Sequence, residues 1–179
     1  MSEETPKAPW LNRAPRTNHR AGVVCITERP DIVESRSRIG DWEADTVIGK
    51  QGGAGLVTLA ERKSRFSIII KAENKTAAAV SAAIPKAMAP HASNVHTLTY
   101  DNGKELAYHQ PVCDGLEAQG FFAHPYHSWE RGLNENTNGV IRQYLPKGKS
   151  FDDLYRSRRP DHHGQIEQKI SKMSWFENA

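Results

Sequence analysis

Three acids far apart in the chain are the residues best suited to chemistry. Asp45 lies in Asp41-Trp42-Glu43-Ala44-Asp45-Thr46-Val47-Ile48, Asp101 closes Thr99-Tyr100-Asp101-Asn102-Gly103, and Glu135 opens Asn134-Glu135-Asn136-Thr137-Asn138-Gly139. Carboxylates are the ligands of hard cations such as Mg2+ and Mn2+. A compact set of them can hold two ions about 3.5–4 Å apart, which activate an attacking oxygen and stabilise a leaving oxygen at a phosphoryl group. Each acid also has a plainer explanation. Asp41 and Glu43 share the face of Asp45 by strand alternation and compete with it, and any of them could be an edge-strand acid facing water. Asp45 is preferred because it sits deepest in the strand, where an unpaired carboxylate is costly. Asp101 beside Asn-Gly also reads as a turn residue. An acid in the first turn of a helix is favourable for the helix dipole alone, which accounts for Glu135 without chemistry. Glu130, in a loop, is a rival third acid.

To bring such acids together the chain needs a rigid sheet and a helix. Period-two patterning predicts strands over 41–48, 55–60 and 65–70, with a Gly-rich turn at 49–53 and a tight connection at Lys63-Ser64. Thr76 is the expected N-cap of an Ala-rich helix running to about 88, with Pro85 inside it as a source of kinking or shortening. A fourth strand over 95–100, a helix over 107–118, a strand over 121–123 and a helix over 134–144 complete the order. Asn138 and Arg142 follow Glu135 at i+3 and i+7, so they share its helix face. Residues 1–38 read as an irregular arm in which only 22–26 could form a short strand.

With thirty-three residues between Asp101 and Glu135, four stretches together are specific. They are Ile39-Gly40-Asp41-Trp42-Glu43-Ala44-Asp45-Thr46-Val47-Ile48-Gly49-Lys50, Leu59-Ala60-Glu61-Arg62-Lys63-Ser64-Arg65, Thr99-Tyr100-Asp101-Asn102-Gly103-Lys104-Glu105, and Pro125-Tyr126-His127-Ser128-Trp129-Glu130-Arg131-Gly132 continuing through 134–139 to Pro146-Lys147-Gly148. Over roughly residues 20–154 the chain resembles the insertion sequence thirty family of bacterial transposases. That resemblance implies a ribonuclease H-like α/β fold, with a mixed five-stranded sheet of three antiparallel strands then two parallel ones, and flanking helices. It implies a DDE integrase-type catalytic core over 39–150, with Asp45, Asp101 and Glu135 as catalytic residues and ligands of two Mg2+ or Mn2+ ions. The implied activity is metal-dependent DNA strand cleavage and strand transfer. The implied partners are element ends, target DNA and further copies of the chain on DNA.

The remaining residues set the context. A net charge of +3 over 179 residues permits nucleic-acid binding without demanding it. Arg131, Asn138, Arg142, Lys147 and Lys149, bordering Glu135, are the expected DNA contacts; Arg62, Lys63 and Arg65 form a second basic group that reads more simply as solvated charge. Trp129 and Tyr126 could stack on an unpaired base or pack under their loop. His124 and His127 lie nearest the acids, with structural roles as the default. The two cysteines, Cys25 and Cys113, form no CxxC pair and read as inert thiols. No apolar run is long enough to span a bilayer, and no signal-peptide pattern opens the chain, so a cytoplasmic protein, nucleoid-associated when bound to DNA, is expected. The family's N-terminal helix-turn-helix pattern is missing from the first 38 residues. After Leu154 the family pattern also ends; with suitable codons, a one-base shift of frame from Tyr155 onward can encode a stretch like the family's, so 151–179 reads as an aberrant tail of a frameshift. The chain could thus be a truncated remnant. Competing readings are an inactive DNA-binding or regulatory transposase fragment and a stand-alone ribonuclease H-like nuclease.

Overall fold

The computed structural model describes residues 22–50, 53–72, 74, 76–148 and 151. Lys149 and the tail beyond 151 lie outside them. Five strands form one sheet: β1 (Asp41–Ile48), β2 (Gly55–Glu61), β3 (Ser67–Ala72), β4 (Thr97–Tyr100) and β5 (Gln119–Phe122), in spatial order β3-β2-β1-β4-β5. β1, β2 and β3 make an antiparallel meander, while β4 joins β1 in parallel and β5 joins β4 in parallel. The expected mixed sheet is therefore the observed one.

β1 is central and carries a different load on each face. Trp42 and Ala44 face one side, with Val57 and Leu59 of β2, against helix α2 (Ala77–Met88) and helix α3 (His109–Gly115). The other side carries Asp41, Glu43, Asp45 and Val47 and is covered by helix α4 (Gly132–Tyr144). There Val47 and Leu56 pack with Ile141, Leu145 and Phe151. Polar residues thus occupy one half of the α4 face and apolar residues the other.

α2 begins where Thr76 Oγ1 accepts the N–H of Ala79, and it continues through Pro85 to Met88. Val80, Ile84 and Met88, four residues apart, are buried along one stripe, each burial worth about 1.5–3 kcal/mol. That continuous apolar stripe outweighs the backbone bond that Pro85 removes. Gly40 turns the chain into β1 with φ +107°, and its carbonyl accepts the N–H of His96; any side chain at Gly40 would collide with the carbonyl of Asn94.

Several boundaries move for local reasons. β4 starts at Thr97 because the N–H groups of Val95 and His96 bond Ala92 and Gly40 instead. Only Cys25 of the expected strand at 22–26 pairs, as a single bridge to Phe122, and the chain then winds into a 3₁₀ turn and helix α1 (Asp31–Glu34) behind Pro30, a residue that cannot donate to a ladder. α3 is shorter than 107–118 and follows a 3₁₀ turn at Lys104–Leu106. α4 starts two residues before 134, after a 3₁₀ turn at Ser128–Arg131. No helix among the described residues is long and apolar enough to cross a membrane.

Candidate functional site

The three acids of β1 are not equivalent. Asp41 is fully buried, held by Arg38 at 2.9 Å and by the hydroxyl of Thr97 at 2.8 Å. Glu43 is also fully buried; one oxygen takes Arg62 Nη1 at 2.7 Å and the other accepts the N–H of Asn134 at 3.0 Å. Arg62 further donates to Val33 O and to Glu34. Burial lowers the Arg62 pKa, against the pull of Glu43. The neighbouring Arg29 is lowered to about 10, first by burial and then by Arg62. Arg62 is therefore an internal ion-pair residue, which corrects its description as solvated charge.

Asp45 is the shallowest of the three acids, not the deepest: its side chain keeps 16% exposure. Preference for it rests on this openness, because Asp41 and Glu43 are already engaged. Its Oδ2 takes Asn138 Nδ2 at 3.0 Å and stands 3.0 Å from Arg131 Nη1. Its Oδ1 accepts the N–H of Thr46. Asn138 is held in turn by the hydroxyl of Thr58, the β2 partner of Asp45.

Asp101 follows the last residue of β4, the parallel neighbour of β1, a position where sites form in α/β sheets. Its Oδ1 accepts the N–H of Gly103 at 2.8 Å, and its Oδ2 lies 4.0 Å from Arg131 Nη2. Burial, and then the charge of Asp45, push the Asp101 pKa up, opposed by Gly103 and Arg131. A Cβ on Gly103 would lie 2.8 Å from Asp101 Oδ1, so the carboxylate's position depends on glycine there. Glu105 stands nearby and accepts the hydroxyl of Thr46 at 2.8 Å.

The guanidinium of Arg131 thus sits between two carboxylates that repel one another. Its Nε and Nη1 are buried without hydrogen-bond geometry to any partner among the described residues, so charge alone places it. A site that draws an imperfectly bonded cation between two acids has the oxygen donors and negative potential suited to a hard divalent ion. Glu135 is exposed in the first turn of α4, with no hydrogen bond or ion pair among the described residues. Arg131 lies four residues before it and Asn138 three after; both touch Asp45, so Glu135 lies on the helix stripe between two contacts of that acid. Asp45, Asp101 and Glu135 do not have their oxygens gathered within 4.8 Å as the geometry stands.

The other expected residues divide. Arg142 donates to Ile48 O at 2.7 Å and to Leu145 O, tying α4 to the end of β1. Lys147 is exposed. Tyr126 is fully exposed and Trp129 is 68% exposed, so neither ring is packed away beneath the loop, although Trp129 meets the edge of His127 at 4.4 Å between ring centres. Glu130, the rival third acid, binds His124 through both oxygens, at 2.8 Å to the backbone N–H and 2.8 Å to Nδ1. Burial would raise its pKa, but these bonds leave it below the ordinary value. A cleft of about 230 Å³ is lined by Asp101, Gly103, His124, His127 and Arg131, among others. The pairing of Arg131 and Asn138 with Asp45 was not legible in the sequence; the helical spacing around Glu135 was its only trace.

The sheet order and its flanking helices define a ribonuclease H-like fold of the integrase-core type. Similar solved structures include the HTLV-2 integrase catalytic core domain in complex with magnesium, at TM-score 0.51 and 17% identity over 78% of this chain and 86% of that one. An intasome of simian T-cell lymphotropic virus in complex with PP2A regulatory subunit B56 gamma matches at TM-score 0.55 and 20% identity, over 77% of this chain and 48% of that chain. In sequence the relatives include several insertion sequence transposases. The chain is 47% identical to the transposase for insertion sequence element IS4351 of Bacteroides fragilis, over 74% of this chain and 41% of the relative. It is 38% identical to transposase InsI for insertion sequence element IS30A of Escherichia coli, over 68% of this chain and 32% of that protein. The chain thus spans less than half the length of these curated relatives. No family model matches it.

Proposed function

We propose that this chain is the catalytic core of a DDE transposase of the insertion sequence thirty family, and that Asp45, Asp101 and Glu135 are its metal-binding acids. The observation that carries this reading is the convergence of Asp45 and Asp101, from adjacent parallel strands, on a single guanidinium that stands where a cation belongs. Support also comes from the insertion sequence transposases among its relatives and from the magnesium complex of a structurally similar core.

A pair of Mg2+ or Mn2+ ions, when bound, would supply an activated attacking oxygen and a stabilised leaving oxygen. The protein's share is to fix the ligands. Asn138 and the N–H of Thr46 orient Asp45, Gly103 orients Asp101, and Glu43 anchors the α4 turn from which Glu135 extends. Arg131 keeps the two aspartates together before ions arrive and is then free to contact a phosphate. Lys147 and Arg142 near the end of α4, together with Lys149 in the sequence that follows, are the proposed phosphate contacts, and the exposed Trp129 and Tyr126 offer faces for an unpaired base. Element ends and target DNA are the proposed substrates, with the chain acting as a homo-oligomer on DNA in the nucleoid.

The test is a strand-transfer assay with Mn2+ and labelled element ends. Joined products support the proposal, and Asp101→Asn should abolish them while leaving the fold intact. Binding without cleavage would instead favour an inactive regulatory fragment, and cleavage without joining a nuclease.

A further inference from the structure

Beside the acids lies a second group of side chains that the proposed chemistry does not use. The N–H of His127 bonds the carbonyl of His124, and the N–H of Glu130 bonds the carbonyl of His127, both at 3.2 Å. A β-turn with Tyr126 at positive φ, followed directly by the 3₁₀ turn Ser128–Arg131, folds the loop so that positions 124, 127 and 130 come close together. One donor atom from each of His124, His127 and Glu130 falls within 4.8 Å of the others.

The geometry points to a binding site for a borderline transition ion of the zinc class, formed by His124, His127 and Glu130. Two imidazoles and one carboxylate are a donor set that suits Zn2+, Co2+ or Ni2+, whereas Mg2+ prefers oxygen alone. A second observation supports the assignment: His127 Nδ1 is buried with no hydrogen-bond partner among the described residues. An unsatisfied buried nitrogen is costly, and a bound ion would complete it. Nitrogen and oxygen ligands sit about 2.0–2.2 Å from zinc, so tetrahedral donors lie about 3.3 Å apart; rotation of the imidazoles and the Glu130 carboxylate closes the remaining gap.

The outer contacts are also in place. With His124 bound through Nδ1, its Nε2–H faces Cys25 Sγ, now 3.4 Å away. A partner on the far nitrogen is the usual support for a metal-bound histidine. Three protein donors leave a fourth position, and His124 and His127 both line the cleft that holds Asp101 and Arg131. Occupancy would brace the loop between β5 and α4, and with it Arg131 and the start of the helix that carries Glu135.

Cobalt provides a direct readout on the full chain. With Mg2+ at millimolar excess to fill oxygen sites, titration with Co2+ should give visible d–d absorption at one equivalent, and Zn2+ should bleach it. His127→Ala and Glu130→Gln should each weaken Co2+ binding at least about tenfold, while Asp101→Asn and His96→Ala leave it unchanged. X-ray absorption of the zinc-loaded wild-type chain, which requires no variant to fold, should count two imidazoles and no sulfur. The assignment is overturned if Co2+ gives no d–d bands, if Asp101→Asn removes them, or if the absorption data show a sulfur ligand or fewer than two imidazoles.

Discussion

Glu43 accepts the backbone N–H of Asn134 at 3.0 Å from a fully buried position, joining the middle of β1 to the first turn of α4 one residue before Glu135. Its other oxygen pairs with Arg62, whose side chain is 2% exposed. Without Glu43, Arg62 keeps only Glu34, whose side chain is 64% exposed, and Val33 O, while the Asn134 N–H loses its acceptor; the cost of breaking such a buried pair is at most about 3–5 kcal/mol. Glu43→Ala should lower unfolding stability by about 2–4 kcal/mol in urea titrations, since Glu34 still partners Arg62. A loss under about 1 kcal/mol would mean that Glu34 and water satisfy Arg62 without Glu43.

Arg131 lies 3.0 Å from Asp45 and 4.0 Å from Asp101 and competes with any cation drawn to both. Arg131→Ala should destabilise the metal-free protein by leaving two carboxylates facing each other. The same change should tighten Mn2+ binding measured by calorimetry. Weaker binding would show that Arg131 supports the ion rather than displaces it.

Asp101 has its pKa raised by burial and by Asp45. A raised folded value means that the native state holds the proton more tightly than the unfolded chain. The resulting stability is present below the ordinary carboxylate pKa near 3.8 and lost as pH rises through the folded value. In the metal-free protein, Asp101→Asn should therefore raise the melting temperature at neutral pH, with the gain shrinking as the solution is acidified toward pH 4. Metal affinity of the wild type should fall over the same acid range, since the carboxylate must be deprotonated to bind. Equal melting curves for the two proteins at pH 7 would contradict this account.

Gly103→Ala separates fold from site. The new methyl would lie 2.8 Å from Asp101 Oδ1 and 2.8 Å from Glu105 Cδ. Both are ends of flexible side chains, so the fold should survive with a small change in melting temperature while the carboxylate moves. Mg2+ affinity should drop about tenfold, in the range expected when the support of a ligand is lost.

Much of this architecture was readable from patterning. Apolar and β-branched runs bounded by turn residues marked all five strands in order, and Thr76 with the Ala-rich run marked α2, which the Val80, Ile84, Met88 stripe carries through Pro85. Alternation also placed Asp41, Glu43 and Asp45 on one face. It could not rank them, because their difference comes from partners distant in the chain: Arg62 for Glu43, Thr97 for Asp41, Asn138 and Arg131 for Asp45. For the same reason Arg62 read as surface charge and proved buried. Glu130 rivalled Glu135 by residue type, though its loop position fits a helix-borne ligand less well, and in the structure both of its oxygens are engaged by His124. The histidine cluster depends on two turns in a loop with no regular periodicity, so no hydrophobic pattern announced it.

The central claim is that acids from β1, the end of β4 and α4 share divalent ions. Calorimetric titration of Mg2+ into the full chain tests it most directly, because imidazole sites take up little Mg2+. The account predicts binding by the wild type, its loss in Asp45→Asn and Asp101→Asn, and a marked weakening in Glu135→Gln, each variant remaining folded by circular dichroism. Undiminished Mg2+ binding in either folded aspartate variant would contradict it.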